Sequence, residues 1–164
     1  MAIVFLLNLS YPTAATDEVA AALALAAATQ VTFRGEELEL TTFHQDITSR
    51  GRSYTEVSVH PVGVGVGSLD MRGATKQDFK ELGDQLFAIV RRLSGFDVCF
   101  VGWDQEWLVD VEDLKSDWLA DSSIYDLDGL VLREAIACDW GLDERFVPFV
   151  DGYRWVPYLG SEPL

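Results

Sequence analysis

Histidine side chains are the usual starting point for acid–base chemistry, and this chain has two, His44 and His60. An imidazole titrates near neutral pH and can take the proton of a hydroxyl nucleophile. If the extended segments that carry them pair, Asp46 and Ser58 would complete a hydrolase-like group with these histidines. The Gly-x-Ser-x-Gly motif that exposes a serine nucleophile is missing from the sequence. We therefore expect structural or surface histidines and predict no catalytic residue.

Three glycines at alternate positions, Gly63, Gly65 and Gly67, precede a predicted helix and resemble a phosphate-binding loop. A dinucleotide-binding loop needs Gly-x-Gly-x-x-Gly, and Ser68 stands where the third glycine belongs. No Gly-Lys-Ser/Thr follows, which excludes a P-loop. We predict a strand whose glycine face allows close backbone packing, with Gly83 of the next helix as the counterpart of that contact.

Acidic residues in two places have a spacing that suggests metal or hydrolase chemistry. Asp126 and Asp128 match ligand positions of a calcium-binding EF-hand loop, but Ile124 and Ala135 occupy the first and twelfth positions, where carboxylates are required. The acids between residues 110 and 113 fit either a two-carboxylate hydrolase or a solvated helix start, and spacing alone leaves both open. We expect no metal site and no cofactor.

The formal net charge of the 164-residue chain is −15, from 12 basic and 27 acidic residues. This charge repels phosphate backbones and anionic membrane surfaces, so we expect neither nucleic-acid nor membrane binding. The same field attracts a cationic protein partner, although solubility alone is a sufficient reason for excess acid. A composition of 49% hydrophobic and 12% aromatic residues is typical of a globular chain.

The excess acid is concentrated in one third of the chain. Residues 97–151 carry 15 acids and 3 bases, whereas residues 1–96 carry 11 acids and 8 bases. All five tryptophans lie beyond residue 96, where they either fill a core or anchor an interface surrounded by carboxylates. The predicted partner-binding residues are Trp103, Asp104, Glu106, Trp107, Asp110, Glu112, Asp113, Asp117, Trp118 and Asp121.

The N-terminal elements predict an α+β fold. Apolar runs and alternation indicate strands at residues 2–9, 31–33, 38–43, 54–67 and 97–102, with a strand end or bulge at Pro61 and a loop over 46–53. Helices are expected over 16–29 and after Thr75, which begins a capping box with Asp78. The order strand, helix, three-strand meander, helix, strand predicts a mostly antiparallel sheet with helices packed on one face.

The C-terminal part adds a helical segment and a β-hairpin. Residues 112–120 predict a short helix, and residues 128–140 a longer one that begins at Asp128. Strands at 146–150 and 153–156 flank Asp151-Gly152, and Pro148 and Pro157 confine this hairpin to a sheet edge or a separate flap.

One domain spanning residues 1–164 fits the length, with an α/β sandwich part over 1–96 and an acidic, tryptophan-rich part over 97–164. Cys99 and Cys138 lack metal-site spacing and are expected to be free, buried thiols. The first basic residue is Arg34, so no signal peptide is predicted and a cytoplasmic location is the expectation.

The resulting hypothesis is a small acidic module that binds a basic protein. One concrete version is an immunity or antitoxin-type inhibitor whose carboxylates cover the cationic site of an effector such as a nuclease. A first alternative is an enzyme or small-molecule-binding domain with a pocket between the glycine-faced strand and the C-terminal hairpin. A second alternative is a subunit of a larger assembly, whose oligomeric state the sequence leaves open.

Overall fold

A computed structural model describes residues 3–65, 71–103 and 109–164, and their strands form a single eight-stranded sheet. The strands are β1 (Phe5–Pro12), β2 (Gln30–Phe33), β3 (Glu36–Ser49), β4 (Arg52–Pro61), β5 (Val98–Trp103), β6 (Val131–Arg133), β7 (Val147–Pro148) and β8 (Tyr153–Trp155). Their spatial order is β2-β3-β4-β1-β5-β6-β8-β7, and every pairing is antiparallel. The edge position of the C-terminal hairpin, β7 and β8, agrees with the sequence expectation.

Two long helices, α1 (Thr16–Ala27) and α2 (Lys76–Val90), pack on one face of this sheet. The predicted capping box is present, since the Asp78 backbone N–H donates to Thr75 Oγ1 at 3.2 Å and the Thr75 N–H donates to Asp78 Oδ2 at 2.8 Å. Apolar residues at alternate positions of β1 and at helical spacing in α2 form the first core between these layers. The α+β prediction, with its order of elements, is confirmed.

A second core lies on the opposite face of β5 and β6. Val98 and Leu132 belong to it, whereas their chain neighbours Cys99 and Val131 point into the first core, as strand alternation requires. Three C-terminal helical segments contribute residues to this second core: α3 (Val111–Asp113), a π-helical turn (Leu114–Leu119) and a 3-10 turn (Ser123–Asp126). The last helix, α4 (Glu134–Asp139), is followed by Trp140, which packs against the same core. The sheet is therefore sandwiched between helical layers where β5 and β6 lie.

The predicted helix over 128–140 is wrong in its first half. Val131–Arg133 is strand β6, which pairs with both β5 and β8, and the helix begins only at Glu134. Apolar Val131 and Leu132 are buried on opposite faces of the sheet, and this burial outweighs the helical spacing of the segment. Asp128 is not a helix cap; its carboxylate accepts a hydrogen bond from the Leu159 N–H at 2.8 Å.

The β3–β4 hairpin is longer than the sequence indicates. β3 continues to Ser49, and a two-residue turn at Arg50 and Gly51 replaces the expected loop over 46–53. Both turn residues have positive φ, +50° and +76°, as a type I′ turn requires. This turn carries Arg50 and Arg52 to the tip of a long ribbon.

The alternate glycines are only partly explained by the predicted strand. β4 ends at Pro61 as expected, and Gly63 lies in a turn with φ +90°, so no strand continues through it. Close packing is confirmed at Gly65, where a Cβ would lie 2.8 Å from the Ile3 carbonyl oxygen. Gly67 lies outside the described residues. Gly83 is not the counterpart of this contact, because it packs against the ring of Tyr158.

Both cysteines are free thiols, but only Cys99 is buried as expected. Cys138 is exposed on α4, because its position faces away from the second core. Among the described residues, no helix has the length and apolar character needed to cross a bilayer.

Candidate functional site

Three adjoining pockets surround residues 109–113, and we call them together the acidic cleft. The first pocket, of about 240 Å³, shares Val111 and Glu112 with the second, of about 370 Å³, and Tyr54 and Asp110 with the third, of about 260 Å³. The carboxylates of the lining are Glu56, Asp97, Asp110, Glu112, Asp113 and Asp139, and the basic side chains are Arg52 and Lys115. Carboxylates thus outnumber cations along these walls by six to two.

Asp110 fixes the local structure of the cleft. Its Oδ1 accepts hydrogen bonds from the backbone N–H groups of Glu112 at 2.9 Å and Asp113 at 3.2 Å, so it caps α3. The side chain is buried, with the residue 7% exposed. A carboxylate is favourable at this position because it lies at the positive end of the helical turn.

The tip of the β3–β4 hairpin supplies cations to the cleft. Arg50 Nη2 lies 3.0 Å from Asp113 Oδ1, and its Nη1 donates to Ser116 Oγ at 3.1 Å. Arg52 pairs with Glu112. These contacts join residues 60 or more positions apart in the chain, and they partly neutralise the acidic segment. The charge asymmetry seen along the sequence is therefore weaker in the folded protein.

Two groups in the cleft have raised pKa values despite these arginines. Burial and the nearby Asp110 carboxylate raise the pKa of Asp113, although Arg50 acts in the opposite direction. The pKa of Tyr54 is raised well above its usual range, first by burial and then by the carboxylates of Asp110, Glu56 and Asp113. Both shifts have the sign expected where anionic groups crowd and water is partly excluded.

The predicted partner-binding residues are distributed over two regions of the fold. Asp110, Glu112 and Asp113 line the acidic cleft, and Asp117 is exposed on the π-helical turn that follows them. Asp121 is exposed too, but it holds the next turn by accepting hydrogen bonds from the Ser123 hydroxyl at 2.5 Å and the Ser123 N–H at 3.0 Å. These hydrogen bonds lower the pKa of its carboxyl. Three further residues, Asp104, Glu106 and Trp107, lie outside the described part of the chain.

The two described tryptophans of that set are partly buried. Trp103 packs against Phe5 and Phe79 in the first core, and its indole N–H donates to the Glu162 carbonyl at 2.8 Å. Trp118 packs against the second core. Trp140, which the sequence did not single out for binding, is the one tryptophan of the described residues that lines the cleft.

Several other lining residues were missed as well. Tyr54, Glu56 and Arg52 come from β4, and Asp139 comes from α4, far from residues 109–113 in the chain. The alternation of β4 places Tyr54 and Glu56 on one sheet face. No pattern within the sequence shows that the acidic segment packs beside that face.

The histidine group considered from the sequence does not form. His44 is paired with Val57 and His60 with Thr41, so the two histidines lie on opposite faces of the sheet. Asp46 accepts a hydrogen bond from Thr55 at 2.7 Å, and Ser58 donates to the Asn8 side chain at 2.6 Å. In the ranges that the structure describes, no three His, Cys, Asp or Glu side chains form a group that could hold a metal ion.

The elements of the alternative small-molecule pocket lie elsewhere. Gly65 forms a bridge with Val4, while the C-terminal hairpin packs Phe149 and Trp155 against Phe87 of α2. Neither element lines the acidic cleft. In comparisons with known proteins, no family model, no curated protein and no solved structure matches this chain.

Proposed function

We propose that this chain is a small acidic protein-binding module and that a basic protein partner binds at the acidic cleft. The observation that carries the proposal is the convergence of six carboxylates, from β4 to α4, on three adjoining pockets. Two basic side chains belong to the lining, and two more, Arg50 and Arg133, pair with its carboxylates, so acids still outnumber cations there. Such an arrangement speeds the encounter with a cationic partner and penalises anionic ones.

Apolar surface beside these charges supports the same function. In the second pocket, the partly buried side chains of Val111, Ile136 and Trp140 lie beside Asp139 and Lys115. A partner that covers this surface would bury apolar area at the centre and leave the charges near the rim, as is common in protein interfaces.

The finer form of the proposal is an immunity or antitoxin-type inhibitor. In that role the carboxylates of the cleft would cover the cationic site of an effector such as a nuclease. Electrostatic pairing of this kind gives fast association, which an inhibitor needs in order to capture its target before damage occurs.

The test begins with capture of a basic protein on immobilised chain at low salt, followed by kinetics with the purified pair. Asp117 and Asp139 are the residues to neutralise, because both are exposed and neither pairs with a described Lys or Arg. The variant Asp117→Asn/Asp139→Asn should lower the association rate constant about three- to tenfold at low salt, and the difference should shrink as salt screens the charges.

The matched control is Glu37→Gln/Glu39→Gln, which removes the same charge near the far end of β3. It should leave the association rate near that of the unmodified chain. An equal drop in both variants would indicate only an effect of net charge, and no drop in either would contradict binding at the cleft.

A further inference from the structure

The first pocket of the acidic cleft has a distinctive set of polar groups. It lies between β1, the start of β4 and residues 109–112, and the residues Ser10, Ser49, Ser53 and Tyr54 belong to its lining. Its charged residues are Asp97, Asp110, Glu112 and Arg52. Two of the three carboxylates already have cationic partners, since Glu112 pairs with Arg52 and Asp97 pairs with Arg133 at 2.9 Å.

Asp110 is the carboxylate of this pocket without a cation. Its Oδ1 is used by two backbone N–H groups, and no Lys or Arg in the described ranges forms an ion pair with it. The residue is 7% exposed. A buried carboxylate is costly unless its charge is compensated, so a cation that enters the pocket would find a prepared partner.

Ser10 provides a second, independent observation that points to ligand binding in this pocket. The residue is 2% exposed, and its Oγ has no hydrogen-bond partner among the described residues. Its pairing with Glu56 and Val98 places the side chain on the sheet face where the pocket opens. Buried hydroxyl groups without a partner are rare, and each one needs an explanation.

The Tyr11 hydroxyl is also buried without a partner, but it belongs to the opposite face, where it lies in the first core. Within the described ranges, Ser10 is therefore the residue that combines an unused hydroxyl with a place in the cleft. Burial is the main reason that the pKa of Tyr54 is raised, and the Asp110 carboxylate acts in the same direction as the largest charge contribution. Negative potential together with unused acceptor oxygens is complementary to an N–H donor that carries positive charge.

We infer that the first pocket binds one cationic side chain, a lysine ammonium or an arginine guanidinium, from the basic partner, with Asp110 as counter-ion and Ser10 Oγ as hydrogen-bond acceptor. This inference rests on the proposed function and names the chemical group that the partner presents. Because the group is small, the pocket should bind it even when it is detached from a protein.

The probes are therefore N-acetyl-arginine methylamide and N-acetyl-lysine methylamide, with N-acetyl-norleucine methylamide as the uncharged control. Amide chemical shifts of the full chain, followed during titration, report the site and the affinity. At least one cationic probe should shift residues of β1, β4 and 109–112, and the norleucine probe should not. The comparison of the two cationic probes decides between ammonium and guanidinium.

Two variants separate binding from folding. Asp110→Asn keeps a residue that caps helices well but removes the charge, and affinity for the cationic probe should fall at least tenfold. Ser10→Ala removes a hydroxyl that makes no internal hydrogen bond, so the urea midpoint should be unchanged or higher while affinity falls about threefold or more. Asp151→Asn, which removes one exposed charge at the β7–β8 turn, should leave the affinity unchanged.

The inference is overturned if neither cationic probe binds, or if both variants bind as tightly as the unmodified chain. Either result leaves the proposed function intact, because that function is judged by the association rate of the whole partner with the Asp117→Asn/Asp139→Asn variant. Conversely, the probe could bind at Asp110 while the Asp117→Asn/Asp139→Asn variant associates with the partner at an unchanged rate. That result would support the cation-binding pocket and contradict the proposed function of the acidic cleft.

Discussion

At the scale of single residues, the C-terminal tail depends on the absence of one side chain. Gly83 lies in the middle of α2, and a Cβ at this position would overlap the ring of Tyr158. That ring packs against Phe87, with centroids 5.3 Å apart, and its hydroxyl donates to the Phe79 carbonyl at 3.1 Å. The glycine lowers intrinsic helix stability but allows the tail to dock.

Gly83→Ala should therefore destabilise the chain by about 1–3 kcal/mol, although the same change in an open helix position stabilises by about 1 kcal/mol. Overpacking against the aromatic ring is the reason for the reversed sign. Urea unfolding measures the difference. When Tyr158→Ala removes the ring, the further change Gly83→Ala should become stabilising, and a destabilising effect in both backgrounds would refute the docking argument.

At the scale of elements, the tip of the β3–β4 hairpin determines how negative the cleft is. Arg52 is exposed over 65% of its side chain and pairs with Glu112, so the ion pair contributes little to stability. Its positive charge nevertheless lies within the lining of two pockets. The hairpin thus acts on the potential of the cleft more than on the free energy of unfolding.

Arg52→Gln should change the free energy of unfolding by less than about 1 kcal/mol, as is typical of an exposed ion pair. The same variant should accelerate association with the basic partner about two- to fivefold at low salt, because Glu112 loses its internal cation. Stopped-flow kinetics would show this. Arg92→Gln, at an exposed position beyond α2, is the control for loss of one positive charge. Slower association of Arg52→Gln would contradict the inference that Arg52 weakens the negative potential of the cleft.

At the scale of the whole molecule, repulsion between like charges is the dominant electrostatic feature. Even if every Lys and Arg formed an ion pair, 15 acids would have no basic partner. Several acids of the C-terminal part are paired, including Asp143 with Arg145 and Glu134 with Arg154, so the remaining repulsion is spread over the surface as well as the cleft. Self-repulsion of this kind destabilises a compact state.

Raising NaCl from about 10 to about 150 mM should therefore increase the melting temperature by about 3–6 °C, which corresponds to about 1–2 kcal/mol. Screening of repulsion is the cause, so tetramethylammonium chloride should act similarly at equal ionic strength. Differential scanning calorimetry is the measurement. A melting temperature that falls with salt would show that the ion pairs outweigh the repulsion.

The sequence by itself determined what depends on neighbouring residues. The Thr75–Asp78 capping box, the helical spacing of α2, the apolar run of β1 and the alternation of β4 identify elements whose order already defines an antiparallel α+β fold. The acidic character of residues 97–151 is likewise a property of composition. Periodicity and capping are local because hydrogen bonds and burial repeat over a few residues.

Only the tertiary structure decided which of those elements meet. Val131–Arg133 became a strand because β5 and β8 offered hydrogen bonds and two cores to bury it in, which outweighed its helical pattern. The acidic cleft arose because β4 brought Arg52, Tyr54 and Glu56 beside residues 109–113. Contacts between residues so far apart in the chain depend on the packing of the whole sheet. Electrostatic interactions depend on distance in space, so the sequence alone does not show which charges interact.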